Sequence, residues 1–135
     1  MGDGCLSVLP GFTTETQGAQ SVQLIDVLWL DRDSHRIVAA FEVEHSTTIY
    51  SGIVRMLDLA LGSEAQALEG LFLVAPDKRE ADVREQLKRP AFSRIADLKV
   101  RYLPYGALEK DREAIRRFGH GLKPIQAISH LLTPA

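Results

Sequence analysis

At 135 residues and 15.0 kDa the chain has the size of one domain with room for a real core, and 45% hydrophobic with 25% charged residues is the balance of an ordinary soluble globular protein. A net charge of −2 and a pI near 6.1 exclude a surface coated in basic charge, though not a local basic groove. The single cysteine, Cys5, excludes an internal disulfide and a Cys-rich zinc site and fits a reducing, cytoplasmic setting, while no apolar run approaches a membrane span and the start MGDGCLSVLPGF lacks the basic and long apolar parts of a signal peptide.

Taken in chain order, residues 1–21 are rich in Gly, Thr, Gln and Ser and read as loop, apart from a short apolar piece at 6–9 that could form a strand. Residues 22–30 are dense in aliphatic and aromatic side chains, which predicts a strand. The polar run 31–35, DRDSH, predicts a turn, and 36–44 the second strand of a hairpin. Ser46 or Thr47 can cap a helix over 49–61, where apolar residues fall at 49, 53, 54, 57, 60 and 61, with Gly62 as its stop. GLFLVA at 70–75 predicts a strand, 78–87 a charged helix, 92–96 a further helical piece after Pro90, 98–103 a strand, and 105–118 an amphipathic helix. The apolar patch at 125–132 predicts a short helix and offers a contact for a homodimer. There is no internal repeat. Strands that alternate with helices predict an α/β (α+β) domain, a mixed β-sheet flanked by helices. The near-continuous apolar character of the hairpin strands predicts that they are central in that sheet.

Carboxylates on otherwise apolar strands carry the chemistry. Asp26 stands at the head of the first hairpin strand, and Glu42 and Glu44 at the end of the second. Alternation along a strand places Glu42 and Glu44 on one face and Phe41 and Val43 on the other. A turn at 31–35 pairs residues whose numbers sum to about 66–68, which sets Asp26 opposite about position 41, beside Glu42. Without a cation, acids this close repel and raise each other's pKa. A hard-cation site follows, and with it phosphodiester chemistry, in which a metal polarises the phosphate and lowers the pKa of a water. The plainer alternative is a set of solvated carboxylates at strand ends, against which the apolar flanks of both strands speak.

An acid, a β-hairpin, an acid two residues before a third functional position at the end of the next strand, then a helix: this pattern resembles the PD-(D/E)XK, or restriction-endonuclease-like, nuclease superfamily. Asp26 matches the first acidic position and Glu42 the second. Glu44 stands where that superfamily usually has Lys, although some restriction endonucleases have Glu there and cut DNA. FEVEHSTTIYSGIVRMLDL also resembles a segment of bacterial proteins associated with that superfamily. The resemblance covers about residues 22–75 and the helix and strand that follow. It implies a DNA-cleaving, Mg²⁺-dependent nuclease, with Mn²⁺ as a substitute, in which Asp26, Glu42 and the Val43 carbonyl hold the ion. Glu44 would serve as a base or as a ligand of a second ion. It also implies a helix before the first strand, for which the chain has little room, as expected of the C-terminal part of a longer protein.

Around these acids, Ser46 and Tyr50 share a helix face and could reach a phosphate or orient a carboxylate, and Arg55 could contact DNA phosphate or pair with Asp58. His45 reads as structural, and His35, His120 and His130 as surface residues. Lys78, Arg79, Arg84, Lys88, Arg89 and Arg94, with Arg112, Arg116 and Arg117, could form a phosphate-contacting surface, but interleaved Asp77, Glu80, Asp82 and Glu85 mark a solvated helix face. Three functions compete: a metal-dependent nuclease, a degenerate member of that fold that binds nucleic acid or a partner protein without cutting, and a small interaction module.

Overall fold

Among the described residues five strands form one mixed sheet in the order β1-β2-β3-β4-β5: β1 (Val27–Leu30), β2 (Ile37–Val43), β3 (Gly70–Ala75), β4 (Arg101–Pro104) and β5 (His130–Leu131). The computed structural model describes residues 22–44, 49–62, 65, 67–92, 98–118 and 122–132, the side chains of 49, 50 and 116–118 excepted. The predicted strand at 6–9, the helical piece at 93–96, Ser46 and Arg94 therefore lie outside the described residues. β2, β3 and β4 run parallel, and the outer strands β1 and β5 are antiparallel to their neighbours. The mixed sheet flanked by helices is the architecture expected from the alternation of elements.

Helix α1 (Ile49–Ala60) joins β2 to β3, and a 3₁₀ turn (Asp77–Arg79) with α2 (Glu80–Gln86) leads from β3 towards β4. Both connections pack on one sheet face, where Ala40, Ile53, Met56, Leu59, Leu73, Val83 and Tyr102 are buried together. Placing both crossovers on one side follows from giving each the same hand. Helices α3 (Tyr105–Phe118) and α4 (Lys123–Ile128) cover the other face, where Ala39, Phe41, Phe72, Val74, Leu103 and Ile125 are buried. Phe41 stacks on Phe72 with ring centroids 4.9 Å apart. No helix among the described residues is long and apolar enough to cross a membrane.

The hairpin turn forms as its composition predicts. Asp31 Oδ1 accepts the N–H groups of Asp33 and Ser34 at 3.0 and 2.8 Å, and Ser34 Oγ accepts that of Arg36 at 3.2 Å. These donors, Ser34 first, hold the Asp31 carboxyl below its usual range.

Several expectations need correction. Among the described strands the first hairpin strand is not central, and it is shorter than 22–30. Val22 and Gln23 are helical, with Ile25 N–H bonded to Val22 O, and β1 begins at Val27 on the sheet edge. The apolar density that read as strand comes from two sources: Val22 and Ile25 are buried core residues before the strand, while Val27 and Trp29 are 42% and 38% exposed. The helix over 78–87 divides into the 3₁₀ turn and α2, and the strand over 98–103 starts at Arg101 after Lys99 adopts φ 54°. The helix over 125–132 ends at Ile128, and His130 and Leu131 pair with β4 instead. Ile125 and Leu132 are buried within the chain's own core, so the apolar patch offered for a dimer largely serves the fold.

Candidate active site

The register of the hairpin brings the acids together. Val27 pairs with Phe41 and Leu28 with Ala40, so Asp26, one residue before β1, is level with Glu42, one position further along than the turn arithmetic placed it. Asp26 is exposed, and its Oδ2 accepts the Val43 N–H at 2.8 Å. That bond uses the β2 amide at the strand's open end and holds the carboxylate beside Glu42.

Glu42 alternates onto the α1 face of β2 with Ala40 and is fully buried. A buried carboxylate needs a partner, and α1 supplies it. Arg55 Nε donates to Glu42 Oε1 at 2.7 Å and Nη2 to Oε2 at 2.8 Å, a two-point ion pair with Arg55 22% exposed at its other side. Arg55 therefore pairs with Glu42 rather than with Asp58. Burial raises the Glu42 pKa, the Arg55 hydrogen bonds and charge oppose that, and the neighbouring negative charge of Asp26 adds to it. The Arg55 pKa is raised in turn, first by its hydrogen bond to Glu42, then by the Glu42, Asp26 and Glu44 charges against the opposing effect of burial.

Glu44 is also buried, 2% exposed, and its N–H donates to Val74 O at 2.7 Å, continuing the parallel pairing one residue past β2. Its carboxylate packs against Gly52 on α1: a Cβ on Gly52 would lie 2.6 Å from Glu44 Oε1 and 3.2 Å from Glu42 Cβ. Gly52 is the site residue that sequence reasoning missed. Its signal was available, since a glycine inside an otherwise good helix costs about 1 kcal/mol against alanine and asks for a packing reason.

Arg55 thus contacts Glu42 directly and feels the charges of Asp26 and Glu44 at the C-terminal end of β2, the edge of a parallel sheet region where ligands are commonly bound. Val43 turns its side chain to the opposite face, 43% exposed. Tyr50 lies on the first turn of α1; its side chain, with His45 and Ser46, is outside the described residues. Among the described residues no three Asp, Glu, His or Cys side chains form a ready-made metal cluster. The acids offer oxygen donors only, and three carboxylates against one guanidinium leave two formal negative charges.

Three of the basic residues singled out from the sequence are engaged elsewhere, while Arg94 and the side chains of Arg116 and Arg117 lie outside the described residues. Arg84 pairs with Glu80 at 3.6 Å, Lys88 with Glu85 at 3.1 Å and Arg112 with Glu109 at 3.9 Å, the pattern of a solvated face. His130, exposed as expected, bonds to Glu80 Oε1 at 2.8 Å through Nδ1.

Comparison with known proteins bears on this geometry. Residues 4–123 match the sequence model of the type II restriction enzyme NmeDI C-terminal domain. The type II restriction enzyme NmeDI of Neisseria meningitidis serogroup C is 34% identical over 91 residues, which are 67% of this chain and 25% of that protein. The match thus spans about a quarter of the curated relative's length. No solved structure matches significantly. With four of the five described strands and three of the four described α-helices inside the matched span, the chain belongs to the family of the NmeDI restriction-enzyme C-terminal domain.

Proposed function

We propose that this domain is a metal-dependent nuclease centre of PD-(D/E)XK type that hydrolyses DNA phosphodiester bonds. The observation that carries the reading is the grouping of Asp26, Glu42 and Glu44 about Arg55 at the open end of β2, in a chain of restriction-enzyme kinship. Asp26, Glu42 and the Val43 carbonyl would hold Mg²⁺, or Mn²⁺ in its place. A divalent ion there supplies positive charge to the scissile phosphate and acidifies a water. The Val43 N–H fixes the orientation of Asp26, so that this carboxylate needs no reorganisation to present its other oxygen. The ion pair with Arg55 holds Glu42 in one rotamer. Glu44, lodged against Gly52, would be the group that takes a proton from the attacking water.

A second reading has its own observation. Both Glu42 oxygens already accept from Arg55, and an acid rather than a lysine follows at 44, which favours a domain that binds DNA without cutting it. Incubation of supercoiled plasmid and linear duplex with the protein and Mg²⁺ or Mn²⁺ separates the two. Nicking or linearisation that Asp26→Asn lowers by about a hundredfold or more supports the nuclease, since ligand loss should exceed the 10- to 100-fold typical of outer partners. Salt-dependent duplex binding with no cleavage under either ion supports the second reading instead.

A further inference from the structure

A guanidinium carries five N–H donors in a planar fork. In Arg55, Nε and one Nη2 donor are committed to Glu42, while Nη1 makes no hydrogen bond among the described residues and the side chain is 22% exposed. The carboxylate therefore fixes the plane of the guanidinium and leaves its adjacent, end-on Nη1/Nη2 edge of donors to present. Asp26 and Glu44 flank it, so the local field is negative, and any anion that approaches must be met by this cation or by an added ion. Of the basic side chains that could compete for that role, Arg84, Lys88 and Arg112 are paired with neighbouring acids.

We propose that Arg55 is the phosphate-binding cation of this centre, held by Glu42 in a two-point ion pair that turns the free edge of its guanidinium towards a DNA backbone phosphate. The proposal rests on the nuclease reading for the identity of the anion. It makes Glu42 serve twice, as the carboxylate that would hold an ion and as the group that positions Arg55. It also explains why the cluster places a fixed, planar donor on α1: a lysine ammonium is a rotatable point charge with three donors, and a carboxylate that held it would not fix a planar edge towards a phosphate.

The test measures duplex-DNA affinity as a function of salt in EDTA, together with Mn²⁺ binding by calorimetry without DNA, for the unmodified protein, Arg55→Lys and Arg55→Gln. Loss of one phosphate contact should lower the salt slope by about 1 and weaken binding by roughly five- to tenfold near 0.1 M salt in Arg55→Gln. Arg55→Lys should keep the slope, because its charge remains, and recover only part of the affinity. Arg55→Gln should also bind Mn²⁺ at least several-fold more tightly, because a competing positive charge has left. If Arg55→Gln does not fold, the Glu42→Gln/Arg55→Gln pair, which leaves no unpaired buried charge, must show the same fall in slope. An unchanged slope in the folded variant, with cleavage and Mn²⁺ binding present in the unmodified protein, overturns the role of Arg55 alone. A fall in slope in a protein that neither binds Mn²⁺ nor cleaves overturns the nuclease reading and leaves Arg55 as a DNA contact.

Discussion

Gly52→Ala puts the packing of the site to a test whose sign is informative. In an ordinary helix this substitution stabilises by about 1 kcal/mol through backbone entropy. Here the new methyl carbon would lie 2.6 Å from Glu44 Oε1 and 3.2 Å from Glu42 Cβ. Ordinary contact begins near 3.4 Å, so the first overlap is most of an ångström. Glu44 is 2% exposed and cannot simply swing into water, and moving α1 outward would loosen Ile53 and Met56, which are 1% and 0% exposed. Overpacking of this kind costs about 1–3 kcal/mol. Set against the helix gain, the net effect is a loss of about 1 kcal/mol, or about 3–5 °C in Tm for a chain of this size. Removing the obstructing carboxylate reverses the sign: Gly52→Ala made in a Glu44→Ala background should stabilise, with a coupling of roughly 1–2 kcal/mol between the two sites. Thermal and urea unfolding of the four proteins in the cycle supply the numbers. A Gly52→Ala protein that gains stability in the unmodified background, with no coupling to Glu44, refutes the close approach of α1 to the acids.

Three further outcomes are expected. Arg55→Met leaves Glu42 buried without a counter-charge and should cost about 3 kcal/mol at pH 7 by urea unfolding, the low end for a buried pair because Arg55 is partly exposed, while Glu42→Leu/Arg55→Met recovers most of it. Burial already raises the Glu42 pKa, so the folded variant binds a proton more readily than the unfolded chain, and its deficit should shrink as pH falls from 7 towards 5. Tyr102, fully buried with its hydroxyl donating to Pro76 O, has its pKa pushed up to about 12, first by burial. The folded value lies above the usual 10, so its contribution is complete below pH 10 and lost as pH rises through 12, roughly 2–3 kcal/mol in all; Tyr102→Phe should flatten that alkaline limb in denaturation at pH 8 to 11. Asp77 Oδ1 accepts the Gly106 N–H at 2.8 Å in the first turn of α3, so Asp77→Ala should destabilise by about 1 kcal/mol, readable in Tm.

The class of the fold was legible in the sequence alone, and so were the acids that form the candidate site. Period and composition separate β2, β3, α1 and α3 cleanly, because each has an uninterrupted pattern and a local start or stop: the DRDSH turn before β2, Gly62 after α1, Pro76 after β3. Carboxylates within apolar strands are conspicuous wherever they stand, so Asp26, Glu42 and Glu44 were legible, and the turn length brought Asp26 to within one residue of its observed level with Glu42. Matters that depend on neighbours distant in sequence were settled only by the packing of the elements. Whether a hydrophobic strand is central or at the edge is not written in its own residues, and β1 lies at the edge because no described strand pairs with its outer side. Likewise Leu131 and His130 belong to the sheet because β4 offers them partners, not because of any local β signal. The partner of Arg55 could be read equally well as Asp58, one helical turn along. The choice of Glu42 follows from desolvation: a carboxylate with no exposed surface gains far more from a guanidinium than a partly exposed one does, and only the packing of α1 on β2 through Gly52 brings the two within 2.8 Å.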